Sequence, residues 1–356
     1  GENKGDYSLL STSAISNIYE YTPPISSVKQ GNYQPIINLV APEKIQLAII
    51  NGDYQISNNT TIKFELANSS NDKNLFSPID DDNNNGLATK IGLENSIVSS
   101  SDIKIINKIE FKHINKDFRS IENNYDVEFL RDWNLDSTLL GISNQFNKTQ
   151  NESSAEISIT KKNRGLVNYS YQSLDFVNNF NGNKHSAIVK YDDSKTEINS
   201  INSLLESKSQ LMKTDFSRSY NNIKFNHKNK WVSLNLDYEN NSKKNKFTDS
   251  LILNSHRFKS YGLKAGIGDY DKVFVEIGVD HKINDSVVDN RIQKVNSSDN
   301  FSINSQLINS PNTKLSLFGN YKILKRVNQR GKERFLNSRI NYFKKSSNGI
   351  IKFNMV

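Results

Sequence analysis

Cysteine is absent from this sequence of 356 residues. A chain without cysteine has no disulfide framework, no cysteine-based metal site and no thiol nucleophile. Long apolar runs are absent as well, because no stretch of about 18 apolar residues occurs that would make a transmembrane helix. There is also no signal-peptide pattern and no initiator methionine. Since residues 349–356 have the pattern of a strand, we expect a fragment of a longer protein or a mature chain.

Hydrophobic residues are scarce. They make up 35% of the chain and the mean hydropathy is -0.65, whereas ordinary globular chains contain about 45–50% apolar residues, counted with glycine. Aromatic residues nevertheless reach 10%, and disordered chains are depleted in them. The composition therefore favours sheets with one apolar face and one hydrated face over general disorder.

The chain carries an excess of positive charge. Its net charge is +8 and its isoelectric point is about 9.2. We interpret the basic residues as scattered and mixed with Asp and Glu, with Lys243-Lys244 and Lys344-Lys345 as short pairs near predicted turns. Because nucleic-acid binding requires basic residues gathered on one face, the charge indicates a solvated surface, and no nucleic-acid partner is expected.

Alternation of apolar and polar residues dominates the chain from about Ile45 onward. Residues 232–239 are an example, and successive side chains of a strand point to opposite faces of a sheet. Turn-forming sequences such as residues 181–183 and 310–312 separate the alternating runs, since Asn and Gly tolerate the positive φ of tight hairpins. The predicted fold class is all-β, with antiparallel up-and-down hairpins. The only helical candidate is Glu197–Met212, whose Ser- and Asn-rich composition fits a loop or a strand equally well.

Residues 1–44 differ from the rest of the chain. They hold four of the six prolines and show little alternation. We interpret this part as an irregular leading segment that serves as a plug or a linker. Residues 45–356 are then an antiparallel β-barrel or part of one.

Two all-β architectures compete for these strands. Strands of soluble proteins are usually about 5–6 residues long, whereas a strand that crosses a membrane needs about 9–11. The alternating runs 230–239, 272–283 and 313–325 are of the longer kind, and their hydrated faces carry Asp237 and Asp280. Aromatic residues lie near the ends of predicted strands, where the aromatic girdle of a membrane barrel would place them. They are Tyr171, Tyr191, Tyr238 and Phe258. The pattern favours a transmembrane outer-membrane β-barrel, and the alternative is a soluble extended β-sheet or sandwich.

Two segments carry a resemblance to known proteins. Residues 64–88 (FELANSSNDKNLFSPIDDDNNNGLA) and 128–135 (EFLRDWNL), together with a composition rich in Asn, Lys and Ile, resemble large, mostly uncharacterised outer-membrane or surface β-proteins of Bacteroidetes. The resemblance implies a Gram-negative outer envelope and a longer parent protein. It supplies no activity and no functional residues.

The acidic run at residues 80–86 is the best local motif for a ligand. It places side-chain oxygens at alternate positions before Gly86, as the start of a calcium loop does. The candidate ligands are Asp81, Asn83 and Asn85, with Asp80 and Asp82 nearby. The closing bidentate Glu of such loops is missing, because position 12 of the pattern is Gly92. Calcium is therefore a candidate cofactor, and a polar hairpin tip is the alternative interpretation.

A second local motif spans Asp126–Trp133. One interpretation is a docking epitope for a partner. We favour a structural role, in which Trp133 anchors the segment to a sheet and Arg131 pairs with Glu128 or Asp132. An Arg that pairs with a carboxylate beside an aromatic ring commonly fixes a loop.

No arrangement of catalytic residues is recognisable. The five histidines are far apart, G-x-S-x-G and P-loop motifs do not occur, and no carboxylate pair stands out. We therefore predict a non-enzymatic outer-membrane β-barrel that acts as a channel, a transporter or an envelope-assembly component. Its expected partners are the lipid bilayer, lipopolysaccharide and other outer-membrane proteins. The alternative is a soluble, secreted β-rich module for adhesion or ligand binding.

Overall fold

The structure is a computed structural model that describes residues 4–12, 16–34, 41–79, 81–100, 102–122, 125–135, 148–347 and 349–355. The chain forms two compact units. The first comprises residues 1–44 and 72–80, and the second comprises residues 45–71 and 81–356.

The first unit contains a small two-stranded sheet. Strand β1 (Tyr7–Thr12) pairs with β2 (Asn17–Tyr21) in antiparallel fashion. Further along the chain, Gly31 and Tyr33 form bridges to Gly5 and to β1. Regular structure therefore extends into the segment for which the prolines had suggested an irregular path.

The second unit is built on one antiparallel sheet of sixteen strands, each paired with its neighbours in the chain. The strands are β3 (Lys44–Ser57), β4 (Thr60–Asp72), β5 (Asn85–Ser100), β6 (Ile103–Ile114), β7 (Gln150–Lys161), β8 (Gly165–Phe176), β9 (Phe180–Asp192), β10 (Thr196–Ser209), β11 (Met212–His227), β12 (Lys230–Asn245), β13 (His256–Gly268), β14 (Phe274–Val288), β15 (Arg291–Asn309), β16 (Thr313–Arg326), β17 (Glu333–Ser346) and β18 (Gly349–Met355). The predicted all-β class and antiparallel up-and-down topology are confirmed. β3 and β18 are the outermost strands, and no pairing between them occurs in the described part of the chain.

Strand β15 is the longest of the sheet, with 19 residues. Its pairing with β14 skips Val295, and its pairing with β16 skips Leu307. Each skipped residue is a β-bulge, which adds one residue to one strand of a pair and leaves the partner unchanged. Two bulges therefore account for part of the extra length of β15.

Helical structure is confined to single turns in the described residues. The helix α1 (Phe129–Asp132) has four residues. The helical candidate Glu197–Met212 instead forms most of β10 and the start of β11. Its spacing looked loosely helical because apolar residues occupy both faces of β10, where Leu205 is 2% exposed and Leu204 is 59% exposed. Of the helices that the structure describes, none is long and apolar enough to span a membrane.

The hairpin connections differ in length between the two ends of the strands. At one end, which we call the short-turn end, they have two to five residues. These short connections are residues 58–59, 101–102, 162–164, 193–195, 228–229, 269–273, 310–312 and 347–348. At the opposite, long-loop end, four connections are longer, namely residues 73–84, 115–149, 246–255 and 327–332, and three are short, namely residues 177–179, 210–211 and 289–290.

Candidate functional site

The register of the sheet gives it two chemically different faces. The apolar face carries the apolar residues of the alternating runs, and the polar face carries their polar neighbours, because successive side chains point to opposite sides. One cross-strand row of the apolar face runs over nine consecutive strands, through Tyr191, Ile198, Ile223, Leu234, Leu263, Val279, Phe301, Tyr321 and Leu336. The apolar side chains thus form a continuous apolar band across the sheet.

The apolar band is open to its surroundings. Leu263 is 55% exposed, Ile277 is 58% exposed and Val279 is 48% exposed. Soluble monomers rarely expose a contiguous apolar surface larger than a few hundred Å². A band of this extent has the chemistry of a surface that contacts lipid or protein.

The polar face carries a network of ion pairs over strands β4–β14. The pairs and their N–O distances are Lys63–Glu94 (3.2 Å), Lys90–Glu110 (3.0 Å), Lys112–Glu152 (3.9 Å), Lys224–Glu197 (3.0 Å) and Lys264–Glu276 (3.3 Å). Each pair joins side chains of neighbouring strands. Five of the lysines in this part of the polar face therefore have a carboxylate partner on a neighbouring strand.

Between β6 and β7 the chain folds back onto the polar face. We call residues 115–122 and 125–135 the fold-back segment. The backbone N–H of Arg119 donates a hydrogen bond of 2.9 Å to Oγ of Ser69 in β4, and Ser69 is fully buried. Gly86 in β5 permits this contact, since a Cβ there would lie 2.1 Å from the backbone nitrogen of Phe118. The first half of the segment therefore lies directly against β4 and β5.

Trp133 anchors the second half of the fold-back segment. Its side chain is 3% exposed. The buried side chains around it, which with Trp133 form the Trp133 cluster, are Leu174, Phe176, Phe180, Leu205 and Phe216. Nζ of Lys184 lies 4.8 Å from the centre of a Trp133 ring, which adds a cation–π contact. The predicted structural role of Trp133 is confirmed.

Arg218 of β11 holds the same segment through its charge. Its Nη1 donates a hydrogen bond of 3.0 Å to Oδ1 of Asp132, and its Nη2 donates one of 3.3 Å to the carbonyl oxygen of Arg131. Its Nε lies 3.5 Å from Oε2 of Glu239. The guanidinium carbon lies 4.3 Å from the ring centre of Phe216. Arg218 therefore joins the helix α1 to strands β11 and β12.

Two further contacts fix the fold-back segment. The hydroxyl of Tyr125 donates a hydrogen bond of 2.6 Å to Oε1 of Gln150, and burial raises the pKa of the Tyr125 phenol. Arg131 donates a hydrogen bond of 3.2 Å to Glu128, one of its two predicted partners, and this bond raises the pKa of the Arg131 guanidinium. The segment is thus held by apolar, ionic and hydrogen-bonding contacts together.

A small cavity lies beside the Trp133 cluster. Its volume is about 150 Å³, and Asn134, Leu135, Phe180 and Met212 contribute to its lining. Pockets for small organic ligands usually have about 300–1,000 Å³. The cavity is therefore too small for such a ligand, and the cluster serves packing.

The residues predicted to bind calcium lie at the long-loop end. A single 3-10 turn spans Asp81–Asn83, and Asn85 begins β5. The carboxylate of Asp81 accepts a hydrogen bond of 2.8 Å from Nδ2 of Asn84, whereas Asp80 lies outside the described residues. No group of three or more His, Asp or Glu side chains converges as a metal site within the part of the chain that the structure describes. Calcium binding stays a prediction.

Comparison with known proteins does not assign the chain. No known protein family matches the sequence, and no curated protein is similar to it at a significant level. The resemblance to surface proteins of Bacteroidetes therefore stays a prediction. Function has to be inferred from the chemistry of the two faces.

The basic residues are not evenly distributed along the chain. Residues 313–355, which form β16–β18 and their connections, contain eleven Lys or Arg residues and a single acidic residue, Glu333. The net charge of the whole chain is only +8, so the preceding strands are close to neutral. The interpretation of the basic residues as scattered is wrong for this part. A running count of charge along the sequence would have found the difference.

Proposed function

We propose that the chain is a membrane-spanning part of a bacterial outer-membrane β-barrel. Its role is non-enzymatic, as a channel, a transporter or an envelope-assembly component. The observation that carries this proposal is the exposed apolar band opposite an ion-paired polar face. Lipid on one side of the sheet and water on the other account for both faces, since barrel strands alternate between lipid and lumen.

Strand length supports the same proposal. The shortest strands between β3 and β17 have 12 residues, as in β8. At about 3.3 Å per residue such a strand is about 40 Å long, and a tilt of about 45° leaves roughly 28 Å along the membrane normal. That height matches the apolar belt of about 25 Å that outer-membrane barrels present to lipid.

The unequal connections suggest an orientation. Outer-membrane barrels have short periplasmic turns and longer extracellular loops. The short-turn end would then face the periplasm, and the long-loop end would lie at the cell surface beside lipopolysaccharide. In this arrangement the partners of the chain are the lipid bilayer, lipopolysaccharide and other outer-membrane proteins.

The fold-back segment has a place in this proposal. It starts at the long-loop end and covers the polar face, with Trp133 and Arg218 as its attachments. Loops that fold inward narrow or plug the lumen of many barrels. We assign the same role to this segment, as a fixed constriction.

Two substitutions on one strand test the proposal. Ile303→Lys places a charge on the apolar face of β15, and Asn304→Lys places the same charge on the polar face, opposite Glu276. In phospholipid vesicles we expect Ile303→Lys to destabilise the folded chain by about 2–4 kcal/mol, the cost of a lysine facing lipid near the bilayer midplane. Asn304→Lys should be close to wild type, and folded fractions are measured by gel mobility across a urea series.

The alternative predicts a different result. A soluble, secreted β-rich module would fold in buffer without detergent or lipid, whereas a membrane-spanning sheet would need one of them. Folding in buffer alone would overturn the membrane proposal.

A further inference from the structure

The polar face of β16–β18 differs from the rest of the sheet because its cations far outnumber its carboxylates. Its single carboxylate, Glu333, is held by Arg326 at 2.9 Å. By register, five other basic side chains point to this face. Lys345 lies near the end of β17, and we call the other four the cationic strip: Lys314, Lys322, Arg339 and Lys352. None of the four forms an ion pair with another residue that the structure describes, in contrast to the paired Lys63 and Lys90.

Two lysines of the strip flank an aromatic ring. Lys314, Phe343 and Lys352 occupy one cross-strand row, in that order. Since neighbouring strands lie about 4.8 Å apart, the backbones of the two lysines are about 10 Å apart. This row therefore presents two positive charges on either side of an apolar ring.

A groove opens on this row. Its volume is about 230 Å³, and Gln306, Asn341 and Asn354 line it beside the two lysines. A second opening of about 410 Å³ shares Asn341 with the first and reaches Arg339. The two openings meet at Ser316 and Asn341, and we treat them as one groove along the strands, with amides and cations among its functional groups.

We propose that this groove binds a chain of acidic sugars, a linear polysaccharide with carboxylates. Ammonium and guanidinium groups form strong, charge-assisted hydrogen bonds with carboxylates. Side-chain amides offer both donors and acceptors, which suits sugar hydroxyl groups. The rings of Phe318 and Phe343 supply flat apolar surfaces for the apolar face of a sugar ring.

Nucleic acid fits the same groove less well. Duplex DNA carries one negative charge per about 1.7 Å of its axis. The strip has four cations, and from Lys314 to Lys322 it covers eight residues of strand, about 26 Å. Cations this sparse would leave most phosphates unpaired, whereas they match a polymer with widely spaced carboxylates.

The inference rests on the proposed function in one respect, namely that the polar face borders water. Binding is therefore measured on the full chain in detergent, without a bilayer. A failure to bind the polysaccharide and a failure to insert into vesicles are then separate results.

The test compares two double variants with equal loss of charge. Lys314→Gln/Lys352→Gln removes two unpaired lysines, and Lys63→Gln/Lys90→Gln removes two paired ones from the same face. The probe is a fluorescent polygalacturonate oligomer, with anisotropy as readout. We expect wild type to bind, the strip variant to bind at least about tenfold more weakly, and the control variant to stay within about twofold, because charge-assisted hydrogen bonds are lost only in the strip.

Two comparison ligands test which chemical features of the polysaccharide the groove recognises. Dextran, a neutral glucan, and single-stranded DNA of equal charge should both bind more weakly than polygalacturonate. If a double variant fails to fold, wild type is measured across a salt series, where affinity must fall as salt screens the lysines. Absence of polygalacturonate binding, equal weakening by both variants, insensitivity to salt, or tighter binding of dextran or DNA would each overturn the proposal.

Discussion

The polar face carries aromatic side chains in two places, and they are buried in one place and exposed in the other. On β8–β11, Phe176 and Phe216 are almost fully buried because the fold-back segment covers them. On β16 and β17, Phe318 is 36% exposed and Phe335 is 50% exposed. An apolar residue in a polar-face position therefore marks a place that something covers. In the first region the cover is the chain itself, and in the second we propose a ligand.

The charges of the two regions differ in the same way. Arg218 on β11 contacts both Asp132 and Glu239, whereas Arg339 on β17 forms no ion pair with any described residue. A balanced charge near packed side chains stabilises the fold. An unbalanced charge on an open groove contributes to binding instead, so substitutions in the two regions should affect different measurements.

The largest expected effect is that of Trp133→Ala. Removal of a buried aromatic side chain typically costs about 3–5 kcal/mol, and Trp133 is 3% exposed. We expect a lower free energy of unfolding in detergent and faster proteolysis of the fold-back segment. The matched variant Phe335→Ala, in the open region, should cost less than about 1 kcal/mol, as surface substitutions do. Equal costs at both sites would remove the distinction between the regions.

Arg218→Met should have the next largest effect. The side chain of Arg218 is 13% exposed, and its loss leaves Asp132 and Glu239 without a cation. The expected cost is about 1–3 kcal/mol, measured by denaturant unfolding. Arg326→Met is the control, since Arg326 and Glu333 are both largely exposed and such a pair is worth about 0–1 kcal/mol. A larger loss for Arg326→Met would contradict the contrast.

Stability of the covered region should also depend on alkaline pH. Burial raises the pKa of Tyr125, so the folded chain holds the phenol proton more tightly than the unfolded chain does. This contribution is fully present below the ordinary pKa of about 10 and is lost as pH rises through the higher folded value. Wild type should therefore lose more stability than Tyr125→Phe between about pH 9 and 11. Parallel curves of unfolding free energy against pH would argue against a buried phenol.

Calcium should give the smallest effect. The turn Asp81–Asn83 holds carboxylates without ion pairs among the described residues, a negative counterpart of the cationic strip. Since Asp81 already accepts a hydrogen bond from Asn84, we expect an affinity no tighter than about 10⁻⁴–10⁻³ M, the range of weak extracellular sites. Calorimetric titration of wild type and Asp81→Asn measures it. Absence of a binding heat at millimolar calcium would contradict the prediction that calcium is a cofactor.

The strands could be predicted from the sequence, but their partners across the sheet could not. The alternation in residues 232–239 shows which side chains share a face, and β12 follows it. The neighbours of Trp133 are a different matter, because Phe176 and Phe216 lie far from it in the chain and meet it only through the register of four strands. Both residues interrupt the apolar–polar alternation of their strands in the sequence, because they are aromatic residues at positions that face the polar side of the sheet. The reason for the interruption is seen only in the structure, where the fold-back segment covers these two residues.

The contact of Asp132 with Arg218 was equally out of reach. These residues are 86 positions apart, and composition gives no sign of which of many carboxylates an arginine will meet. The local pair of Arg131 and Glu128, three positions apart, was one of two predicted alternatives and is the one formed. Short-range pairs follow from sequence spacing, whereas long-range pairs follow from sheet register.

The two bulges of β15 have a consequence for how such a chain tolerates change. A one-residue insertion in a regular strand would turn every following side chain to the opposite face, exchanging apolar for charged surface. At Val295 and Leu307 the strand already absorbs an extra residue without that exchange. Lineages of this protein should therefore gain or lose single residues at bulges and turns, and elsewhere in pairs or as whole hairpins. In the regular parts of the strands, length would then change only by even numbers of residues.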